Sequence, residues 1–125
     1  MIDVGLFRAV RRVGLTLPRV DAATRYDGSP VLKVGGCFMA GLATHSSAEP
    51  GTLVVRARFE DRALLLEDAP ETYYVTPYYE KYPVVLARLA RLDRDALHGL
   101  LSMSWRLTQE KSRRRRVAAS SGDTH

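Results

Sequence analysis

Apolar positions recur along this chain with two periods, and the switches between them mark out its elements. Over residues 3–17, Leu6, Val10, Val13 and Leu17 share one side of a helical wheel, while Arg8, Arg11 and Arg12 take the other. The spacing predicts a first helix there, with Asp3 as its N-cap and Pro18 as its stop. Short extended runs follow. Tyr26-Asp27-Gly28-Ser29-Pro30 is turn chemistry, Val31-Leu32-Lys33-Val34 reads as a strand, Gly35-Gly36 as a tight reversal, and residues 37–43 as the returning strand. Beyond the polar loop from Thr44 to Gly51, residues 52–58 alternate. Leu53, Val55 and Ala57 point one way; Val54, Arg56 and Arg58 point the other. Three such strands predict an antiparallel meander.

A short helix is predicted over residues 59–69, with Ala63 and Leu66 on the face of Phe59 and Pro70 as its end. The next segment is the densest in the chain: five of six tyrosines fall between positions 73 and 82, with Pro77 inside the run and Pro83 closing it. Each proline pushes its preceding residue toward extended geometry, so this segment reads as strand, aromatic corner, strand. Tyr74, Tyr78, Tyr79 and Tyr82 carry too much ring surface for a simple wet loop, and a structural clamp packed between sheet and helices is expected. Residues 84–92 read as the last strand. Asp93 caps a final helix whose apolar side holds Ala96, Leu97, Leu100, Leu101, Met103, Ser104 and Leu107. After Gln109 the apolar period fades. The expected fold is α+β, a curved antiparallel sheet of about five strands with helices on one side, in the order α-β-β-β-α-β-β-α. One domain over residues 1–109 and a basic, disordered tail over residues 110–125 complete the organisation.

Charge changes this picture only at one end. The formal net charge is +5, and residues 110–125 hold five basic and two acidic side chains against fourteen and twelve in residues 1–109. The high pI is therefore mostly an effect of the tail, which weakens any step from pI to specific nucleic-acid binding. A single cysteine, Cys37, excludes an internal disulfide and a multi-thiolate metal site in one chain; it is expected to be a buried, reduced hydrophobe. No apolar run approaches a membrane span, and the Arg-bearing start lacks the apolar core of an export signal. A cytoplasmic protein with no membrane partner is expected.

Candidate chemistry is sparse. His45, Ser46 and Glu49 superficially resemble a triad, but three neighbours on one polar loop lack the oriented geometry that mechanism needs. His45 with Glu49 does not complete a metal shell, and Gly35-Gly36 matches no phosphate-binding glycine loop. No enzyme, no metal and no cofactor is the expectation. A binding surface has more behind it. Strand alternation places Arg56 and Arg58, joined by Lys33 and Arg88, on the sheet face away from the helices, where they would meet phosphates while tyrosines stack on bases. Arg113, Arg114, Arg115 and Arg116 add a second basic candidate. DNA binding, weak and largely non-specific, is one possibility. The other is a protein- or small-ligand-binding domain in which these are ordinary outward cations and the tail is incidental.

Several short motifs, in order, also resemble a known family. They are Leu17-Pro18-Arg19-Val20, the run from Tyr26 to Ala40, Leu53-Val54-Val55-Arg56, Tyr73-Tyr74-Val75-Thr76-Pro77-Tyr78-Tyr79 with Tyr82-Pro83, and Trp105-Arg106-Leu107. Spanning residues 6–108, they resemble the MmcQ/YjbR family of small bacterial proteins. Cys37 stands where that family often has a basic residue, and Tyr78 where it often has histidine. The resemblance implies a frataxin-like, double-wing-like α+β fold and a DNA-binding label that rests on fold analogy. An iron-chaperone role is disfavoured, because the first helix carries Arg8, Arg11 and Arg12 in place of an acidic ridge.

Overall fold

A computed structural model of the chain describes residues 4–122, so the expected Asp3 cap lies outside them. The first helix, α1 (Val4–Gly14), buries Phe7 and Val10, with Val13 and the following Leu17 packed at the margin. It ends at Gly14, three residues before the expected last helical residue, Leu17. A Cβ at Gly14 would collide with the Leu32 side chain of the sheet, so the missing side chain sets how closely the helix lies.

Six strands form one open antiparallel sheet. They are β1 (Val20–Thr24), β2 (Pro30–Val34), β3 (Cys37–Leu42), β4 (Thr52–Arg56), β5 (Tyr73–Tyr74) and β6 (Val84–Arg88), in the spatial order β1-β2-β3-β4-β6-β5. The α+β class is as expected; the strand count is not, because β1 went unseen. Of its residues Val20-Asp21-Ala22-Ala23-Thr24 only Val20 is buried, so an edge position leaves no alternation to read. The Gly35-Gly36 reversal is as expected, both residues at positive φ as a two-residue primed turn requires. A register shift between Leu32 and Lys33 leaves Met39 as an extra residue on β3, and both Met39 and Ala40 enter the core. The last strand stops at Arg88, and a 3₁₀ turn, Leu89–Arg91, replaces the rest of the expected run.

Helices α1, α2 (Phe59–Asp68) and α4 (Arg94–Gly122) share one sheet face with Leu32, Val34, Leu53, Val55, Val85 and Ala87. The face chosen by α2 differs from expectation. Leu65 and Leu66 pack inward with Ala69 just beyond the helix, while Phe59 is 49% exposed and carries the Arg62 guanidinium over its ring.

Two larger corrections concern the corner and the tail. Apart from Tyr73, which joins the helix-side core, the tyrosine segment does not lie between sheet and helices. It folds as a single turn, α3 (Pro77–Glu80), on the opposite sheet face, where Tyr79 joins Val54, Val84 and Leu86 in a second small core flanked by Phe38, Ala43, Ala48, Tyr74 and Val75. The face expected to be solvated is dry over its central strands. Nor is the chain disordered from Glu110 onward, since α4 continues as helix to Gly122. Its inward side changes from apolar residues to the small hydroxyls Ser104, Thr108 and Ser112, all at most 2% exposed. Ser104 Oγ donates to the Met39 carbonyl at 3.1 Å, and Thr108 Oγ1 donates to the Ser104 carbonyl. Ser112 sits directly over Gly35, and Arg115 Nη1 reaches Cys37 Sγ at 3.4 Å. Small residues let the helix approach the β2–β3 turn closely, and apolar periodicity cannot report that.

Candidate functional site

Four strand cations expected on one face are split by the register. Thr52 of β4 pairs with Arg88 while Arg56 pairs with Val84, so Arg56 and Arg88 lie at opposite ends of the β4–β6 ladder. Arg88 is fully engaged as a strut. Its guanidinium grips Glu49 at 2.7 Å, reaches the Pro70 and Glu71 carbonyls, and covers the Tyr74 ring at 4.3 Å. That contact holds the Glu49 carboxyl below, and the Arg88 guanidinium above, its ordinary value. Tyr74 in turn bonds Thr52 Oγ1 at 2.6 Å and accepts from the Glu49 amide at 2.8 Å. Tyr74 thereby ties β4 to the Glu49 loop.

Arg56 is different. Half-buried, it donates through Nε to the Phe38 carbonyl at 2.8 Å, and no ion pair among the described residues includes it. Burial pulls its guanidinium below the usual arginine value, the mark of a desolvated cation without a carboxylate. Lys33 pairs with Phe38 across β2–β3, on the same end of the sheet. Arg58 has left the sheet for the N-terminus of α2, where Asp61 binds it at 3.0 Å and raises its pKa.

The extended α4 supplies what the strands do not. Arg56, Arg58, Lys111 and Arg114 line one open cavity together with Glu110, and Glu110 pairs with Arg114 at 3.2 Å. Arg56 and Lys111 also border an adjoining groove of about 390 Å³, whose other walls are Tyr78, Tyr79, Tyr82 and the Phe38–Val54–Val84 floor. Arg113, Arg114, Arg115 and Arg116 are all exposed; Arg113 and Arg116 turn to a separate face of α4 beside Arg106. Lys111 was not singled out by the sequence, because its approach to Arg56 depends on helix continuing past residue 109.

A ring cluster fixes the aromatic wall. His45 stacks on Tyr78, centroids 3.5 Å apart and planes 11° from parallel, and Tyr79 meets Tyr78 edge-on at 4.9 Å. His45 Nδ1 bonds Ser47 Oγ at 2.8 Å, and Ser47 Oγ bonds Thr76 Oγ1. The triad look-alike is thereby dispersed: His45 partners Ser47 in place of Ser46, and Glu49 belongs to Arg88. Burial raises the Tyr79 hydroxyl pKa against the donation of the His45 amide to it. Among the described residues no group of three or more His, Cys, Asp or Glu is placed to hold a metal, and no helix is long and apolar enough to cross a membrane.

Comparison with known proteins adds relatives and no activity. The chain is 31% identical over 84 residues to uncharacterized protein Rv2570 of Mycobacterium tuberculosis and, at the same identity, to uncharacterized protein Mb2600 of Mycobacterium bovis. Each match covers 65% of this chain and 65% of the relative, so the chain spans about two-thirds of their length. No family model matches the chain, and no solved structure does.

Proposed function

We propose that this chain is a member of the MmcQ/YjbR family and binds DNA weakly, through phosphates, where Arg56 at the sheet's end and Arg58 at the start of α2 adjoin Lys111 and Arg114 of α4. The observation carrying this reading is the convergence of those four cations on one open cavity, which exists because α4 stays helical past the sheet. The site differs from the four-cation face read from strand alternation: Lys111 and Arg114 stand in place of Lys33 and Arg88. Arg58 and Arg114 hold carboxylates that a phosphate would displace, whereas no ion pair among the described residues includes Arg56 or Lys111.

Phosphate contacts position a protein on DNA and carry no sequence information, so little sequence preference is expected. Four contacts give a log–log salt slope of about −3.6, from roughly −0.9 for each phosphate neutralised. The test is a salt titration of the full chain by fluorescence anisotropy, repeated for Lys111→Gln with Arg114→Gln and for Arg88→Gln. The double variant should flatten the slope by about two units, and Arg88→Gln should leave it unchanged. Absence of affinity at low salt would overturn this reading and leave the protein- or small-ligand-binding alternative.

A further inference from the structure

We infer that the DNA taken by this site is single-stranded, its unpaired bases stacking on Tyr78 and Tyr82 while Arg56 and Lys111 hold the adjoining phosphates. This rests on the DNA-binding reading above. Its own observation is the composition of the groove next to the cation cavity: Arg56 and Lys111 border it, Tyr78, Tyr79 and Tyr82 form a wall, and no carboxylate among the described residues lines it.

Two of those rings remain partly exposed, Tyr78 with one face taken by His45. Tyr78 is 44% exposed and Tyr82 43% exposed, with centroids 6.2 Å apart. Tyr79 is buried beneath them and holds the loop through the His45 amide, and the His45 stack fixes the orientation of Tyr78. Tyr78 and Tyr79 are thus held in place by contacts within the chain, which lowers the entropic cost of binding at that part of the wall. Lys81 Nζ lies 5.3 Å from the Tyr82 centroid and adds a cation on the outer rim.

Exposed aromatic rings beside the half-buried Arg56 and the exposed Lys111 match an unpaired nucleotide, which presents a π-face and a phosphate together. A duplex keeps its base faces stacked inside, and its groove edges would leave both tyrosines unused. An acidic peptide would satisfy the cations, but its carboxylates offer no aromatic face to the wall. Every base has a π-face, so the expected recognition tolerates any sequence.

The experiment uses the full chain and a fluorescein-labelled thymidine 12-mer at low salt. Competitors are the same 12-mer unlabelled, a duplex at equal phosphate concentration, and polyglutamate of equal charge. The single strand should compete at least about ten-fold better than either. Tyr82→Ser should weaken single-strand binding by roughly five- to a hundred-fold, Tyr82→Phe should restore it, and duplex affinity should not move. A urea midpoint for each variant confirms that both fold. Equal single-strand and duplex affinities with neutral tyrosine variants would overturn the single-strand assignment while sparing DNA binding. Polyglutamate competing as well as thymidine would assign the groove to acidic protein segments and overturn it. Failure of both DNA forms to bind would instead remove the parent reading, and this one with it.

Discussion

At the scale of single residues, close approach and charge pairing account for positions that composition leaves anonymous. Gly14 is one. Leu32 is fully buried, so its methyl has little room to yield to a new Cβ. Gly14→Ala should lose about 1–2 kcal/mol in urea denaturation, overpacking outweighing the better helix propensity of alanine. Glu49 is another. Its carboxyl pKa is lowered from the ordinary 4.5, chiefly by the hydrogen bond from Arg88. A depressed carboxylate contributes stability that is present above its unfolded value and disappears as pH falls through the folded one. The melting temperature should therefore decline below about pH 4.5, and Glu49→Gln should remove part of that acid-side decline while lowering the neutral-pH value. The same comparison at pH 7 and pH 3 checks both halves. His45 was legible as a loop histidine but not as the ring beneath Tyr78, since the two are 33 positions apart and meet only through the fold.

At the scale of elements, α4 shows where apolar periodicity stops being informative. Its first half was readable because Leu97, Leu100 and Leu101 follow helical spacing and are buried. Its second half packs with hydroxyls of small side chains, so Ser104, Thr108 and Ser112 form a stripe that hydropathy counts as polar. Gly35 completes the contact, being at φ 55° and lacking the Cβ that would meet Ser112. Gly35→Ala and Ser112→Leu should each lift the basic end of α4 from the sheet. Amide hydrogen exchange over residues 110–118 should then accelerate by at least about ten-fold. Arg113→Leu, on the exposed side of the same turn, should leave exchange unchanged. Faster exchange in all three would mean the contact holds nothing.

At the scale of the molecule, the sheet is dry on both faces over β4 and β6, with the helices on one and the tyrosine corner on the other. Leu86 faces the corner and Leu101 the helix layer, and both are fully buried. Each change to alanine should cost about 2–5 kcal/mol in urea denaturation. A cost within about 0.5 kcal/mol for Leu86→Ala would restore the solvated face that strand alternation first suggested. The double-sided cover also explains the site's location. Over β4 and β6 the strand cations stand where the cover ends, Arg56 beside α4 and Arg88 beside the Glu49 loop.

The sequence by itself determined the elements whose signal is local. Those are the meander around Gly35-Gly36, the helix at Phe59, the strand entering and the strand leaving the tyrosine run, and the start of α4. Each rests on period, turn residues or proline geometry within about ten positions. Only the tertiary structure decided which face the tyrosine corner covers, since either face satisfies the same local geometry. It also decided that α4 continues to Gly122, because the contact of Ser112 with Gly35 joins residues 77 positions apart. The candidate site depends on both decisions: one presents Tyr78 and Tyr82 to the groove, and the other carries Lys111 and Arg114 to Arg56.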